Sequence, residues 1–261
     1  MKNPLFLSFC AQKGGVGKST FTMVVASYLQ YTLGINVAIL DCDSPQFSIV
    51  KQREREQTLV KNNESIQKAL LDQSERLNSK PYPVIKSSPI TCIEDAQTLI
   101  NNTKEKEYDI IFFDFTGASN VEGLIESILQ MDCLFTCIEA DKIVLASDLP
   151  FALQIRDAME TFDKTDNVFL YWNSIDKRVK SEIIAEFEVS ISELGLQCMQ
   201  SRVSQASAFS KELVDDPVKV FRSTIFPFNK KLLGRTPDNF QNFINEFCQI
   251  LKLTSQINNG K

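Results

Sequence analysis

The sequence predicts an α/β fold: a doubly wound, mainly parallel β-sheet flanked by helices. Two observations predict this fold. Short apolar runs alternate along the chain with stretches of helical periodicity, which is typical of strand–helix–strand units built into a parallel sheet. A glycine-rich segment also lies between the first apolar run and the first helical stretch, where doubly wound sheets carry a ligand-binding loop.

Five apolar runs have the composition of strands that are buried on both faces. They cover residues 5–10, 37–40, 110–113, 134–138 and 168–172. Four helices are predicted between them, and each ends where a glycine or a new apolar run would end it. They cover residues 18–33, 121–130, 147–162 and 177–194, with Gly34 and Gly195 as terminating glycines.

Two further stretches have the periodicity of amphipathic helices. Residues 51–80 are charged and rich in Gln and Asn, with apolar residues at helical spacing that predict one or two helices. They either pack as outer helices through one apolar stripe or present a surface to a partner. Near the end of the chain, Phe240, Phe243 and Phe247 predict a helix that packs on the core.

Composition and charge limit the classes of function. A chain of 261 residues with 43% hydrophobic side chains can bury a full core, and we expect one domain over residues 1–261. The net charge of −5 excludes a wholly basic nucleic-acid-binding protein, so any DNA contact must come from a local patch. Seven cysteines without a secretory leader indicate reduced thiols, and no apolar stretch has the length of a transmembrane segment. We therefore expect a cytoplasmic protein.

The glycine-rich segment has the chemistry of a phosphate-binding loop, or P-loop. Glycines let the backbone curl around an anion with its N–H groups pointing inward, and the N-terminus of the next helix favours negative charge. Lys18 is predicted to reach the β- and γ-phosphates of a nucleotide, and the Ser19 hydroxyl to bind Mg²⁺. The predicted nucleotide-binding residues of the loop are Lys13, Gly14, Gly15, Val16, Gly17, Lys18, Ser19 and Thr20.

An additional lysine distinguishes this loop from the standard one. The usual spacing places a glycine where this chain has Gln12, and Lys13 stands directly before the glycine pair. In these residues the sequence resembles the deviant Walker A family of ParA and MinD ATPases, and the Gln before the lysine looks more like the ParA branch. The resemblance implies a P-loop NTPase fold, ATP and ADP as ligands, and a homodimer formed with ATP in which Lys13 reaches the phosphates held by the other subunit.

One acidic residue at a strand end is a candidate Mg²⁺ ligand. Asp114 closes the apolar run 110–113, and carboxylates at the ends of neighbouring strands commonly complete the metal site of a P-loop. Gly117 follows three residues later and could bring a backbone N–H towards the γ-phosphate. This order is the expected layout of the Walker B and switch II segments.

A second acidic pair follows the run 37–40. The segment Asp43-Ser44-Pro45-Gln46 is similar to the family's switch I sequence with one residue inserted. By that resemblance Asp43 positions the attacking water and supports the Mg²⁺ shell, so that Lys13, Lys18 and Asp43 are the predicted catalytic residues. The alternative for Asp41, Asp43 and Asp114 is that they cap a following helix, and Asp41 in particular could support the site rather than contact the ligand.

Asn173 is the candidate for base recognition. It follows the apolar run 168–172, and the family commonly has an Asn at the end of this strand that hydrogen-bonds the adenine. An amide offers both a donor and an acceptor to a base edge. The alternative is an Asn that only forms the turn after the strand.

Other chemistries have less support in the sequence. The chain has no histidine, which removes the usual general base, so that hydrolysis must rest on carboxylate, lysine and metal electrostatics. Cys133 and Cys137 raise the possibility of an iron–sulfur cluster, as in relatives of this family. They lie four residues apart in one predicted strand and would face the same buried side. We expect buried thiols and no cluster.

The resemblance extends beyond the loop, and it leaves the biological task open. Segments 140–144, 171–173 and 221–227 look like ParA-type proteins of Bacteroides conjugative transposons, which implies a role in element transfer or plasmid partition. The first hypothesis is a DNA-associated ATPase, in the cytoplasm or on the nucleoid, that is stimulated by a partner protein. Its best local basic cluster for non-specific DNA contacts is formed by Arg222, Lys230, Lys231 and Arg235, although these could be ordinary solvated charges.

Three alternatives remain at the level of sequence. A membrane-positioning ATPase like MinD would need a basic amphipathic helix at the end of the chain, where few basic residues occur. A cluster-dependent reductase or carrier would need bound iron. A nucleotide-binding scaffold with negligible turnover stays open because of the inserted Ser44.

Overall fold

A seven-stranded sheet in which all neighbouring strands are parallel forms the core of the fold and confirms the predicted α/β class. The computed structural model describes residues 3–102, 107–117, 121–162, 164–176, 178–233 and 237–253. The strands are β1 (Leu5–Cys10), β2 (Val37–Asp41), β3 (Val84–Lys86), β4 (Ile110–Asp114), β5 (Cys133–Ile138), β6 (Val168–Ile175) and β7 (Gln197–Ser204). Their order is β3-β2-β4-β1-β5-β6-β7, so β1 separates the first half of the sheet from the second. Doubly wound sheets bind ligands at such a point, beyond the carboxyl ends of the strands.

All of the described helices except the last connect successive strands, and together they cover both faces of the sheet. Those in the described part of the chain are α1 (Lys18–Tyr28), α2 (Ser48–Asn62), α3 (Glu64–Leu77), α4 (Cys92–Asn102), α5 (Leu124–Ile128), α6 (Lys142–Glu160), α7 (Ser181–Glu193) and α8 (Pro237–Ile250). None of these described helices is both long enough and apolar enough to span a membrane.

The predicted bounds of the first helix are confirmed: it is α-helical from Lys18 to Tyr28 and continues as a π-helical turn over Leu29–Leu33 before Gly34, at φ 71°, ends it. Other predicted bounds were wrong. The helix predicted over 121–130 is limited to α5, and the one predicted from residue 147 begins five residues earlier. The predicted start of α7 at residue 177 lies outside the described residues, and the helix itself begins at Ser181.

Strands β3 and β7 were not predicted. The first has only three residues, of which none is fully buried, and the second alternates exposed and buried positions at the edge of the sheet. Neither strand therefore has the continuous apolar run that marks a strand buried on both faces.

The two faces of the sheet bury separate apolar clusters. On one face, α1 and α8 pack against the sheet through a group of aromatic rings that includes Phe9, Phe21, Phe243 and Phe247. This confirms that the last helix packs on the core. Cys133 and Cys137 are both buried in this cluster, with free thiols, as expected for two residues four apart in one strand.

Helices α2 and α3 are covered by a later segment of the same chain. Ile66 of α3 forms a small core with Leu213, Val220, Ile225 and Phe226. The apolar stripe predicted within residues 51–80 is thus packed inside the molecule, which favours the interpretation as outer helices.

Candidate functional site

The P-loop lies between β1 and α1 with its backbone open to a ligand. Gly15 and Gly17 have φ of 81° and 95°, values that side chains other than glycine rarely adopt, and Gly17 precedes the first residue of α1. No side chain in the described part of the chain caps the N-terminus of this helix, so its first N–H groups are available to an anion. Lys18 is buried, with 7% of the residue exposed, and its Nζ donates to the Lys13 carbonyl oxygen at 3.3 Å.

The loop after β4 is in backbone contact with the P-loop. At Gly117, a Cβ atom would stand 2.7 Å from the Lys13 carbonyl oxygen and 2.9 Å from the Gly14 nitrogen, which no side chain could tolerate. A glycine is therefore required here by close approach rather than by φ. The structure places Gly117 beside the P-loop, which agrees with the predicted position of its N–H near the γ-phosphate.

Asp114 lies at the carboxyl end of β4 beside Asp41 of β2, its partner in the sheet register. It is fully buried, and neither carboxylate oxygen has a hydrogen-bond partner among the described residues. Burial raises the pKa of the Asp114 carboxyl to about 8, although the nearby Ser19 hydroxyl and the Lys18 charge act in the opposite direction. An unpartnered buried carboxylate is costly in the absence of a cation.

Asp41 and Asp43 take different positions. The Asp41 carboxylate accepts hydrogen bonds at 2.9 Å from the backbone N–H groups of Ile49 and Val50, so it caps α2. The Asp43 N–H donates to the same carboxylate at 3.3 Å. Burial raises the pKa of Asp41 above its usual range, and these backbone hydrogen bonds oppose the rise. Asp43 is 8% exposed, and its Oδ1 has no partner in the described part of the chain.

These oxygens fit a divalent cation. Mg²⁺ prefers oxygen ligands and is usually held by one or two carboxylates together with phosphate oxygens and water. Asp114 and Asp43 supply carboxylate oxygens without partners, and Ser19 supplies a hydroxyl close enough to Asp114 to influence its pKa. The three predicted metal ligands are thus brought to one edge of the sheet.

A cleft of about 740 Å³ opens over the P-loop and joins it to α2. The cleft is lined by predicted residues such as Gly14, Lys18 and Asp43. It is also lined by residues that the sequence analysis did not select for this site, namely Met23, Gln46, Ser48, Lys51, Gln52, Arg55, Thr116 and Arg222. Three of the added residues, Lys51, Arg55 and Arg222, are basic. The helical spacing of Ser48, Lys51, Gln52 and Arg55 after Asp43 was the signal that could have identified α2 as one wall.

Asn173 lies beside the P-loop but inside a strand. Strand β6 continues past it to Ile175, so the alternative of a turn-forming Asn is wrong. Its Nδ2 donates to the Val16 carbonyl oxygen at 3.0 Å, and a small cleft of about 130 Å³ separates it from the loop that contains Gln205 and Phe209. The same small cleft is bordered by Thr20, which also lines the large one.

Two other predicted features are only partly brought to the site. The half-buried Lys13 is close enough to Asp148 of α6 to lower the pKa of that carboxyl, which burial nevertheless raises to about 6. Of the proposed basic cluster, Arg222 turns into the large cleft and pairs with Glu212, whereas Lys231 is exposed. The Lys230 side chain and Arg235 lie outside what the structure describes.

A P-loop at the central strand of a parallel sheet, with buried carboxylates at the neighbouring strand end, defines a nucleotide-binding protein of the P-loop class. The sequence matches the family of CobQ/CobB/MinD/ParA nucleotide-binding domains over residues 7–218, and the chain belongs to that family. A comparison with curated proteins found no match.

Solved structures of the same fold include both MinD and partition proteins. A chain of the MinC:MinD cell division protein complex from Aquifex aeolicus has 16% identity and a TM-score of 0.57, over 95% of this chain and 96% of the other. A plasmid partition protein from Borrelia burgdorferi has 16% identity and a TM-score of 0.55, over 95% and 99%. The apo McdA of Cyanthece has 13% identity and a TM-score of 0.58, over 94% and 100%. At these identities the likenesses support the fold alone.

Proposed function

We propose that this chain is an Mg²⁺-dependent ATPase of the deviant Walker A type that dimerises with ATP and hydrolyses it slowly. The observation that carries the proposal is the open P-loop with Lys13 and Lys18 beside two buried carboxylates, Asp43 and Asp114, that have oxygens without partners. A cation and a triphosphate would satisfy all of these groups together. The related MinD from Pyrococcus horikoshii was solved with Mg-ADP, which agrees with this choice of ligand.

Each residue then has a chemical task. Lys18, now bonded to the loop carbonyl of Lys13, exchanges that oxygen for the β- and γ-phosphates, and the N–H groups of the loop hold the same phosphates. Ser19, Asp43 and Asp114 would hold Mg²⁺, which supplies charge neutralisation at the transferred phosphoryl group when bound. Asp43 also orients the attacking water. Phosphoryl transfer depends mostly on such positioning, so these groups suffice without a histidine.

Asn173 has two tasks in this proposal. Its Nδ2 supports the P-loop through Val16, and its side chain lines the small cleft between β6 and the loop after β7. We propose that the adenine base occupies this cleft. Thr20 borders both clefts, so a nucleotide whose phosphates lie in the large cleft can place its base in the small one.

The biological role that we propose is partition or transfer of DNA, such as a plasmid or a conjugative transposon, in the cytoplasm or on the nucleoid. The family membership and the fold shared with a partition protein support it. The ATP-bound homodimer would bind DNA non-specifically, and a partner protein would stimulate hydrolysis. Because Arg222 turns into the cleft, the DNA-binding surface must use other basic residues, of which Lys231 is exposed. No observation favours membrane positioning, since the apolar side of α8 is buried against the core.

The test is the oligomeric state by light scattering, with and without Mg-ATP. We expect the wild type and Asp43→Ala to dimerise with ATP, because Asp43 acts in hydrolysis, and Lys13→Ala to stay monomeric. Lys61→Ala, which changes an exposed lysine at the end of α2, is the matched control and should dimerise. If the wild type binds ATP and remains a monomer, the chain is a nucleotide-binding protein, and the proposal that it dimerises with ATP is wrong.

The enzymatic part needs its own measurement. Phosphate release from ATP should require Mg²⁺, and Asp43→Ala should reduce it at least tenfold while dimerisation persists. Negligible release by the wild type, with DNA and without it, would instead support the scaffold alternative. A gel-shift measurement with ATP at low salt tests the DNA contact, since a phosphate-dominated interaction weakens as salt rises.

A further inference from the structure

Arg222 reaches the P-loop from a distant part of the chain. Its Nη1 donates to the Thr20 hydroxyl oxygen at 3.3 Å, and its Nη2 pairs with the Glu212 carboxylate. The side chain is 26% exposed and lines the large cleft. Its Nε is buried and has no partner in the described ranges, so one donor of the guanidinium remains to be satisfied.

The backbone next to Arg222 is fixed by buried hydrogen bonds. Thr224 donates its N–H at 3.0 Å and its hydroxyl to the fully buried Glu56 carboxylate. The Thr224 carbonyl oxygen accepts from Arg53 at 2.9 Å and from the Tyr31 hydroxyl at 2.7 Å. These bonds attach the segment to α2 and to the helical turn after α1. The Arg222 side chain is thereby held over the first turn of α1 before any ligand arrives.

We propose that Arg222 is a further phosphate-binding residue, which exchanges Glu212 for the phosphate chain of the bound nucleotide. The inference rests on the proposed function, because it requires ATP or ADP in this cleft. A guanidinium can bind two phosphate oxygens at once, and its hydrogen bonds to them are charge-assisted. Arg222 contacts Thr20, one residue beyond the predicted Mg²⁺ ligand Ser19, and Thr20 borders both the large cleft proposed for the phosphates and the small cleft proposed for the base. The phosphates common to ATP and ADP are therefore its expected partners.

Glu212 neutralises the Arg222 charge when no nucleotide occupies the cleft. Its carboxylate pairs with Arg222 and, at 3.2 Å, with Arg55, and both arginines line the cleft. When phosphates enter, a carboxylate at this place competes with them for the same guanidinium. Removing the Glu212 charge should therefore strengthen nucleotide binding, whereas removing Arg222 should weaken it. A pair that only holds the fold together would lose binding in both cases.

The experiment is calorimetric titration of the full chain with Mg-ADP and with Mg-ATP. We expect Arg222→Met to raise Kd about ten- to a hundredfold for both nucleotides, as for loss of a charge-assisted hydrogen bond. Glu212→Gln should lower Kd about two- to fivefold, which is the range of a partly exposed ion pair. Arg222→Lys should recover part of the loss. Lys219→Met is the control, because Lys219 pairs with Asp216 on the surface of the same segment, and its Kd should equal that of the wild type.

The outcomes separate this inference from the proposed function. A wild type that binds neither nucleotide would remove the proposed function itself. If the wild type binds and the Kd of Arg222→Met is unchanged, or if Glu212→Gln weakens binding as Arg222→Met does, the inference is wrong and the function stands. If thermal unfolding shows that Arg222→Met does not fold, the test rests on Glu212→Gln. Nucleotide binding by Glu212→Gln that is not tighter than in the wild type would then show that Arg222 does not exchange Glu212 for phosphate.

Discussion

Gly117 brings the loop after β4 into direct backbone contact with the P-loop. We predict that Gly117→Ala lowers the free energy of unfolding by about 1–3 kcal/mol, because its Cβ would overlap backbone atoms of Lys13 and Gly14 and one loop must move. ATP affinity should fall at least tenfold. Both effects can be measured by chemical unfolding and by titration.

Gly14 offers the matched control for that substitution. A Cβ atom at Gly14 would meet nothing within 4 Å, and its φ does not lie in the left-handed range. In nucleotide-free protein, Gly14→Ala should therefore change the free energy of unfolding by no more than about 0.5 kcal/mol. Equal stability of the two variants would show that the contact at Gly117 is not as close as the structure indicates.

Asp114 illustrates a conflict between stability and function at one residue. Its carboxylate is fully buried without a hydrogen-bond partner among described residues, so its neutral analogue should fold more stably in the absence of ligand. We predict that Asp114→Asn raises the free energy of unfolding by about 1–3 kcal/mol without Mg²⁺ and abolishes the further stabilisation that Mg-ATP gives the wild type. Thermal unfolding with and without Mg-ATP measures both. A variant that is destabilised without ligand would indicate a partner for Asp114 within the protein.

At the scale of elements, α2 connects the site to the rest of the fold. Asp41 caps its N-terminus and also accepts the Asp43 N–H, whereas Asn63 caps α3 through Ser65 and Ile66. We predict that Asp41→Ala and Asn63→Ala each cost about 1–2 kcal/mol of stability, as is usual for a lost cap. Only Asp41→Ala should also weaken Mg-ATP binding, because only that cap adjoins the metal site. Titration of both variants with Mg-ATP checks this. Equal affinities of the two variants for Mg-ATP would show that the Asp41 cap does not contribute to ligand binding.

The elements also show how far the sequence could predict the fold. Strands buried on both faces, such as β1 and β4, were found because they are continuous apolar runs. The edge strands β3 and β7 lack such a run, and their pairing comes from neighbours that are distant in sequence. The predicted bounds of α5 and α6 were wrong for a similar reason, because the local sequence does not mark where these helices begin.

For the site, residues within one motif were predictable and residues brought in by tertiary structure were not. Gly14 to Thr20 form a contiguous pattern with known chemistry, and Asp114 closes an apolar run. Arg222 was assigned to a surface cluster, because nothing in its local sequence indicates Glu212 and Thr20 as its neighbours. Asn173 was selected through the family resemblance alone, since nothing in its local sequence indicates the hydrogen bond to Val16, which spans 157 positions.

For the whole molecule, the remaining prediction concerns a single cooperative unit over residues 1–261. Phe243 of α8, near the end of the chain, has its ring 5.3 Å from that of Phe21 in α1 and 5.4 Å from that of Tyr171 in β6. One aromatic core thus joins early, middle and late parts of the sequence. Two-state unfolding is usual for single domains of under about 150 residues. We expect it for this longer chain as well, because these ring contacts connect helices and strands from its early, middle and late parts.

The single tryptophan provides the test of that unit. Trp172 is fully buried in β6, and its Nε1 donates to the Glu188 carboxylate of α7 at 3.1 Å. Its fluorescence therefore reports on the second half of the sheet, whereas far-ultraviolet circular dichroism reports on all helices. We predict coincident urea unfolding curves from the two signals, and an equal shift of both midpoints on adding Mg-ATP, because a ligand bound at β1 would stabilise the entire unit. Two separated transitions, or a shift of only one signal, would divide the chain into independently unfolding parts.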